Sequence, residues 1–241
     1  MYNEIYNLCK IKNNGGALKN GIVDYPPRFQ FIINLINSYG FDYEIIKFDN
    51  KKWKMCSFYN IYLKGSSNKM AIAHHDVYNE KSENANDNSA SIINCLMLKK
   101  LNPSINIAII DGEEPPLMGV GSQRLSDDIN GGYFGDIEYV LNLELTGKGG
   151  ESFFVGKMGS NLENKIIEMF NPFVTNVPFN DSYILLENGI DSAVVTTLPI
   201  IDNEPDYSVM YKIHTHMDNI NSISVDDMKL FTENVALKIL S

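Results

Sequence analysis

The 241-residue chain contains only three cysteines, Cys9, Cys56 and Cys95, and no C-x-x-C pair. Three scattered thiols cannot build a full disulfide framework or a thiolate zinc cluster, so a reducing compartment is the simpler setting. Arginine is just as sparse. Of 20 Lys and Arg residues, only Arg28 and Arg124 are arginine, which leaves little for planar, bidentate recognition of carboxylates or phosphates. Positive charge is short overall: 30 Asp and Glu outweigh those 20 cations, for a net charge of −10. Nucleic-acid and anionic-membrane partners both demand clustered positive charge, so neither is expected. No run approaches the ~18 apolar residues of a membrane span. Residues 1–12 carry Asn3, Glu4, Asn7 and Lys10 where a signal peptide has its apolar core. A cytoplasmic protein is expected. Repeats, low-complexity blocks and long Pro/Gly/Ser linkers are also missing, so residues 1–241 are expected to form one domain.

What is present is enough apolar sequence for a sizeable core, 44% against 21% charged. The periodicity of Phe29 to Ile36 predicts a helix ended near Gly40. Tyr43 to Phe48 and Phe58 to Leu63 are rich in aromatic and β-branched residues and predict strands. Met70 to Ala73, Ile105 to Ile110, Tyr139 to Leu145 and Ala193 to Leu198 are short and mostly apolar, as interior strands are. Asn88 to Leu101 predicts a helix with Ile92, Ile93, Leu96 and Met97 on one side. A last helix begins at Ser224 with Asp227 three residues on, a capping pair, and carries Met228, Phe231, Val235 and Ile239 along one face. Such alternation implies an α/β three-layer sandwich around a mixed, largely parallel sheet.

Three of the interior strands end in acid or imidazole. Met70–Ala73 runs into His74-His75-Asp76, Ile107–Ile110 into Asp111-Gly112-Glu113-Glu114, and Tyr139–Leu143 into Glu144. Ligands of α/β sheets bind beyond the carboxyl ends of the strands, so these groups point toward one place. All four histidines fall in two clusters, His74/His75 and His214/His216, with acidic or oxygen-rich neighbours. Imidazole with carboxylate is the donor set of zinc, cobalt or manganese. Each fragment alone is weak, since a Glu-Glu pair is ordinarily a solvated loop end and Asp87 in Asn86-Asp87-Asn88-Ser89 is by default a helix cap. Their ordered coincidence is a strong signal.

Together, Ala73-His74-His75-Asp76, Ala85–Ser91, Asp111–Glu114 with Gly121-Ser122, Leu141–Gly147 and His214–Asp218 resemble the M28 family of dinuclear zinc peptidases. Asn180-Asp181-Ser182 with Gly189-Ile190 is a looser match, and the resemblance spans roughly Lys69 to Ile223. It implies a zinc-exopeptidase fold of the phosphorylase/hydrolase-like type. It further implies two Zn2+ ions, with Co2+ or Mn2+ as substitutes: His74 and Glu144 on one, Glu114 and His214 on the other, Asp87 bridging. Glu113 matches the general base, and Asp76 the carboxylate that orients His74. His75 and His216 fall on variable positions and are expected at the pocket rim or surface, with His216 a possible substrate contact. Glu144 stands where many family members have Asp, and Pro115-Pro116 where a Gly-containing loop is usual. The M20 and M42 groups share the ligand order but insert a whole domain before the last histidine; Glu144 and His214 are only 70 positions apart.

The activity so implied is an aminopeptidase acting on short peptides with a free N-terminus. Two alternatives share the fold: a single-zinc, glutaminyl-cyclase-like transferase, whose pockets tend to be tryptophan-lined, and a non-catalytic metal-binding domain, which would not need Glu113. The only tryptophan is Trp53. Pocket walls are expected from loops at Phe153–Gly159 and Phe179–Tyr183, with Tyr183, Tyr207 and Tyr211 as candidate oxyanion donors. Nucleophile-elbow, phosphate-loop and H-E-x-x-H motifs are absent. Cys95, on an apolar helix face, is expected in the core.

Overall fold

A computed structural model describes residues 2–11, 25–52, 57–79 and 81–241. Cys56 and Trp53 lie outside the described residues. The strands are β1 (Glu44–Asp49), β2 (Ser57–Leu63), β3 (Lys69–His74), β4 (Asn106–Ile110), β5 (Tyr139–Leu143), β6 (Phe153–Gly156), β7 (Phe173–Thr175) and β8 (Ser192–Thr197). They form one eight-stranded sheet in the order β1-β2-β4-β3-β5-β8-β6-β7. The middle strands β4, β3, β5 and β8 run parallel, while β1 with β2, β2 with β4 and β6 with β8 are antiparallel. A mixed, largely parallel sheet is therefore observed. A two-stranded ribbon, β9 (Ile200–Ile201) and β10 (Glu204–Pro205), stands apart.

The helices are α1 (Ile5–Cys9), α2 (Pro27–Ser38), α3 (Ala90–Leu101), α4 (Val120–Asn130), α5 (Asn161–Phe170), α6 (Asp181–Glu187) and α7 (Val225–Phe231). Beyond α7 the chain passes through a wider-wound stretch, Thr232–Ala236, into a last turn, Leu237–Ile239. The expected cap of α7 forms, with Ser224 Oγ accepting from the Asp227 N–H.

Strand alternation assigns the two faces. Ala71, Ala73, Ile107, Ile109, Leu141 and Leu143 pack with residues of α1, α2, α3, α5 and α7, with Cys95 in that core as expected. Met70, Ile72, Ala108, Ile110 and Val140 pack on the other face with Leu125 and Ile129 of α4 and Leu185 of α6. The result is three layers, helices on either side of a buried sheet. β6 and α6 occupy ground where pocket loops were expected: Phe153–Gly156 is a strand, and Asp181 to Tyr183 is the first turn of a helix.

Candidate metal centre

The sheet order explains why distant motifs meet. β4, β3 and β5 are adjacent and parallel, and His74 is level with Ile110 on one side. On the other side Ile72 is level with Asn142, which puts Glu144 beside His74. The chain then turns from β4 through Gly112, whose φ is +73° and whose missing Cβ would lie 2.3 Å from Val120 Cγ2. Only glycine fits that turn without displacement. Asp76 fixes the two glutamates beyond it: its Oδ1 accepts from the Glu113 N–H at 3.1 Å and its Oδ2 from the Glu114 N–H at 2.9 Å. Asp76 Oδ1 also lies 3.4 Å from His74 Nδ1, too poorly aligned for a hydrogen bond. Asp76 thus holds the Glu-Glu turn as well as facing the histidine.

Asp87 comes from the irregular stretch before α3, where the Asp87–Asn88 peptide is cis. Its backbone is anchored by Asp218, which accepts from the Asn86 N–H at 2.8 Å and the Asp87 N–H at 3.1 Å. Asn88 donates to Glu144 Oε2 and to the Leu143 carbonyl, tying this stretch to β5. His214 arrives on a loop with φ +62°.

Five side chains converge. Asp87 Oδ1 is 3.2 Å from His74 Nε2, and Asp87 Oδ2 is 3.1 Å from His214 Nε2. Glu144 Oε2 lies 3.5 Å from His74 Nε2, and Glu114 Oε2 lies 3.1 Å from His214 Nε2. Two ligand trios result, His74/Asp87/Glu144 and Asp87/Glu114/His214, sharing Asp87. Glu113 forms a further group with His74 and Glu114. Glu114 Oε1 and Glu144 Oε1 are buried with no hydrogen-bond partner among the described residues. Buried carboxylate oxygens without partners are costly unless something is coordinated there. Three carboxylates, two imidazoles and these unpartnered oxygens suit a pair of divalent cations.

The electrostatics of the metal-free cluster agree. Burial opposes charge on His74, but Glu144, Asp76 and Asp87 outweigh it and hold the imidazole well above its usual range. Hydrogen bonds to Asp87 and Glu114 raise His214 to about 10. Asp87 is pushed below the carboxylate range, because its bonds to both imidazoles overcome burial. Glu113 is raised well above its ordinary value by burial, with Glu144 and Asp181 adding repulsion while His74 opposes. Imidazoles and carboxylates that perturb one another this strongly form a ligand set whose metal binding is coupled to proton release.

The cluster forms one wall of a cavity of about 270 Å³. Much of the remaining lining is apolar, including Phe154, Val177, Phe179, Val194, Met210 and Ile213. Of the two histidines expected at the pocket rim or surface, His216 is at the surface and His75 is not. His75 is buried, with Nε2 2.9 Å from the Tyr59 carbonyl and its ring against Phe29. His216 is exposed and outside the cavity wall. Tyr183 spends its hydroxyl on the Val177 carbonyl, and Tyr207 and Tyr211 are exposed and do not line the cavity. Asp111 turns away, accepting from the Tyr59 N–H. Three supporting residues had no role in the sequence expectations: Asp218, Asn88 and Arg28. Asn88 and Asp218 lie within the matching segments Ala85–Ser91 and His214–Asp218, whereas Arg28 left no signal. Arg28 is buried and donates to the His75 carbonyl and Ser89 Oγ.

Comparison with known proteins bears on the family and the fold. No curated protein matches the chain. Among solved structures it is similar to a Zn-dependent exopeptidase from Parabacteroides distasonis (16% identity, TM-score 0.73, covering 100% of this chain and 96% of that one). It is also similar to the LapA aminopeptidase of Legionella pneumophila (15%, TM-score 0.70, covering 100% and 70%). A third similar structure is a glutaminyl cyclase from Porphyromonas gingivalis (14%, TM-score 0.73, covering 99% and 95%). At these identities the likeness concerns the fold. The profile of Peptidase family M28 matches residues 61–239, which takes in every residue of the two trios. The chain belongs to Peptidase family M28.

Proposed function

We propose that residues 1–241 are a single catalytic domain, an aminopeptidase that removes the first residue of short peptides with a free N-terminus using two zinc ions. The carrying observation is Asp87, whose two oxygens address two different imidazoles at 3.2 and 3.1 Å. A carboxylate split this way serves two cations rather than one. His74 and Glu144 complete one site, Glu114 and His214 the other. Cobalt or manganese satisfies the same donors.

When bound, the two cations supply Lewis acidity, polarising a peptide carbonyl and easing proton loss from water. Glu113 takes that proton and returns it to the leaving amine. Its half-buried position among Glu144, Asp181 and Asp76 raises its proton affinity, which suits a base that must also act as an acid. Asp76 holds the Glu113 and Glu114 backbones and orients His74. The apolar lining receives the side chain of the first residue and excludes water.

The glutaminyl-cyclase reading, supported by the Porphyromonas gingivalis neighbour, is disfavoured by a complete second trio, and no described residue of the cavity wall is tryptophan. A non-catalytic role leaves Glu113 without a purpose. Among the described residues no helix is long and apolar enough to cross a membrane. Cytoplasmic residence is part of this proposal, resting on sparse thiols of which Cys9 and Cys95 are free and buried. The test compares zinc-loaded and chelator-stripped protein on leucyl, N-acetyl-leucyl and N-terminal glutaminyl peptides. Zinc-dependent release of leucine from the unblocked peptide alone is expected. Cyclisation of the glutaminyl peptide without hydrolysis would overturn the proposal.

A further inference from the structure

The two ligand histidines are held by different means. His74 sits at the end of β3, its side chain 1% exposed, with the Asp76 carboxylate facing its Nδ1. His214 has neither advantage. It lies on a loop, its side chain is 31% exposed, and among the described residues the carboxylates that approach it face Nε2, none Nδ1. Ligating imidazoles ordinarily have such an in-plane partner to fix ring orientation. Its backbone is also left-handed, at φ +62°, a conformation that a non-glycine residue keeps only where its surroundings enforce it.

The segment between Asp76 and Asp87 supplies what is missing. Tyr78 stacks on the imidazole of His214 with ring centroids 4.2 Å apart and planes 18° from parallel. Its neighbour Asn79 donates from Nδ2 to the His214 carbonyl at 3.0 Å, while its Oδ1 accepts from the Lys81 N–H. One residue grips the ring by its face and the next grips the backbone behind it. Tyr78 is 46% exposed and does not line the cavity, so neither core packing nor pocket shape accounts for its placement.

We propose that Tyr78 and Asn79 are positioning residues for the metal held by Glu114, Asp87 and His214: they set the ring plane and backbone of His214 before the ion arrives. The inference rests on the two-metal reading above. Stacking restricts rotation of the ring about the Cβ–Cγ bond, the motion that would swing Nε2 away from Asp87 and Glu114. Without it, the ordering cost is charged to metal binding. Loss of an outer partner of a ligating histidine typically lowers metal affinity ~10–100-fold.

The experiment measures zinc affinity at each site by competition with a chromophoric chelator, for wild type, Tyr78→Ala, Tyr78→Phe and Asn79→Ala, together with the melting temperature of each metal-free protein. Tyr78→Ala is expected to weaken one of two sites ~10–100-fold and leave the other unchanged, with metal-free melting as in wild type. Asn79→Ala should weaken the same site, and Tyr78→Phe, which keeps the ring, should bind both ions like wild type. Unchanged affinity in Tyr78→Ala would overturn the proposal. So would equal weakening of both sites with a lowered metal-free melting point, or a Phe variant as defective as Ala. The wild type separates the two levels: one metal per chain there ends the two-metal reading and this inference with it, whereas two metals bound with equal affinity in wild type and Tyr78→Ala end this inference alone.

Discussion

Replacing Asp87 by asparagine keeps the shape of the side chain and removes the one carboxylate that faces both imidazoles. Its oxygens lie 3.2 Å from His74 Nε2 and 3.1 Å from His214 Nε2, one oxygen toward each proposed cation. A pair of unit charges about 4 Å apart at an effective dielectric near 20 is worth about 4 kcal/mol, or about three powers of ten in affinity. Each ion carries two charges, so three decades at each site is a conservative expectation for Asp87→Asn. The assay equilibrates the variant with buffered free zinc across the range that fills the wild type, then counts metal per chain by elemental analysis. Glu144→Gln is the comparison, since Glu144 faces only His74; that variant should weaken one site and spare the other. If Asp87→Asn kept one ion at wild-type affinity, the carboxylate would belong to a single site and the bridge would be refuted.

Glu113→Gln should lower kcat by ~10²–10⁴ at unchanged metal content, measured on a leucyl peptide; full turnover would remove Glu113 as the base. Asp218→Asn should lower metal affinity ~10–100-fold, because an amide cannot accept from both the Asn86 and Asp87 N–H groups, and unaltered affinity would show that the cradle is dispensable. The pH dependence has a definite sign. Metal-free His214 is raised to about 10 by Asp87 and Glu114, so its charged form stabilises the fold fully below the ordinary imidazole value and the contribution fades as pH rises through 10. Metal-free wild type should therefore lose its melting advantage over His214→Ala between pH 7 and 10. Zinc loading at neutral pH should release protons, and a pH-independent advantage or loading without proton release would contradict the assignment.

How much of the fold and site was legible in the sequence depends on how local each feature is. His74, Glu113, Glu114 and Glu144 stand directly after short apolar strands, and a buried strand is visible as an apolar run. Their convergence is not local; it depends on β4, β3 and β5 lying side by side. His75 is buried rather than at the rim because alternation along an extended chain says which way a side chain points, not what covers it. Phe29 of α2 and the Tyr59 carbonyl of β2 enclose it. α4 has a faint signature, since only Val120, Leu125 and Ile129 mark its apolar face amid serine, aspartate and glycine. β6 is four residues long and offers too few positions to distinguish a strand from a pocket loop. The stack of Tyr78 on His214 joins residues 136 positions apart and has no signature in either segment.

The most direct test of the two-metal account is anomalous diffraction from zinc-equilibrated crystals, recorded on both sides of the zinc absorption edge. The account predicts two peaks ~3.5–4 Å apart, one between His74 and Glu144 and one between His214 and Glu114, with Asp87 between them. A single peak, or two peaks with Asp87 bound to only one, would contradict it.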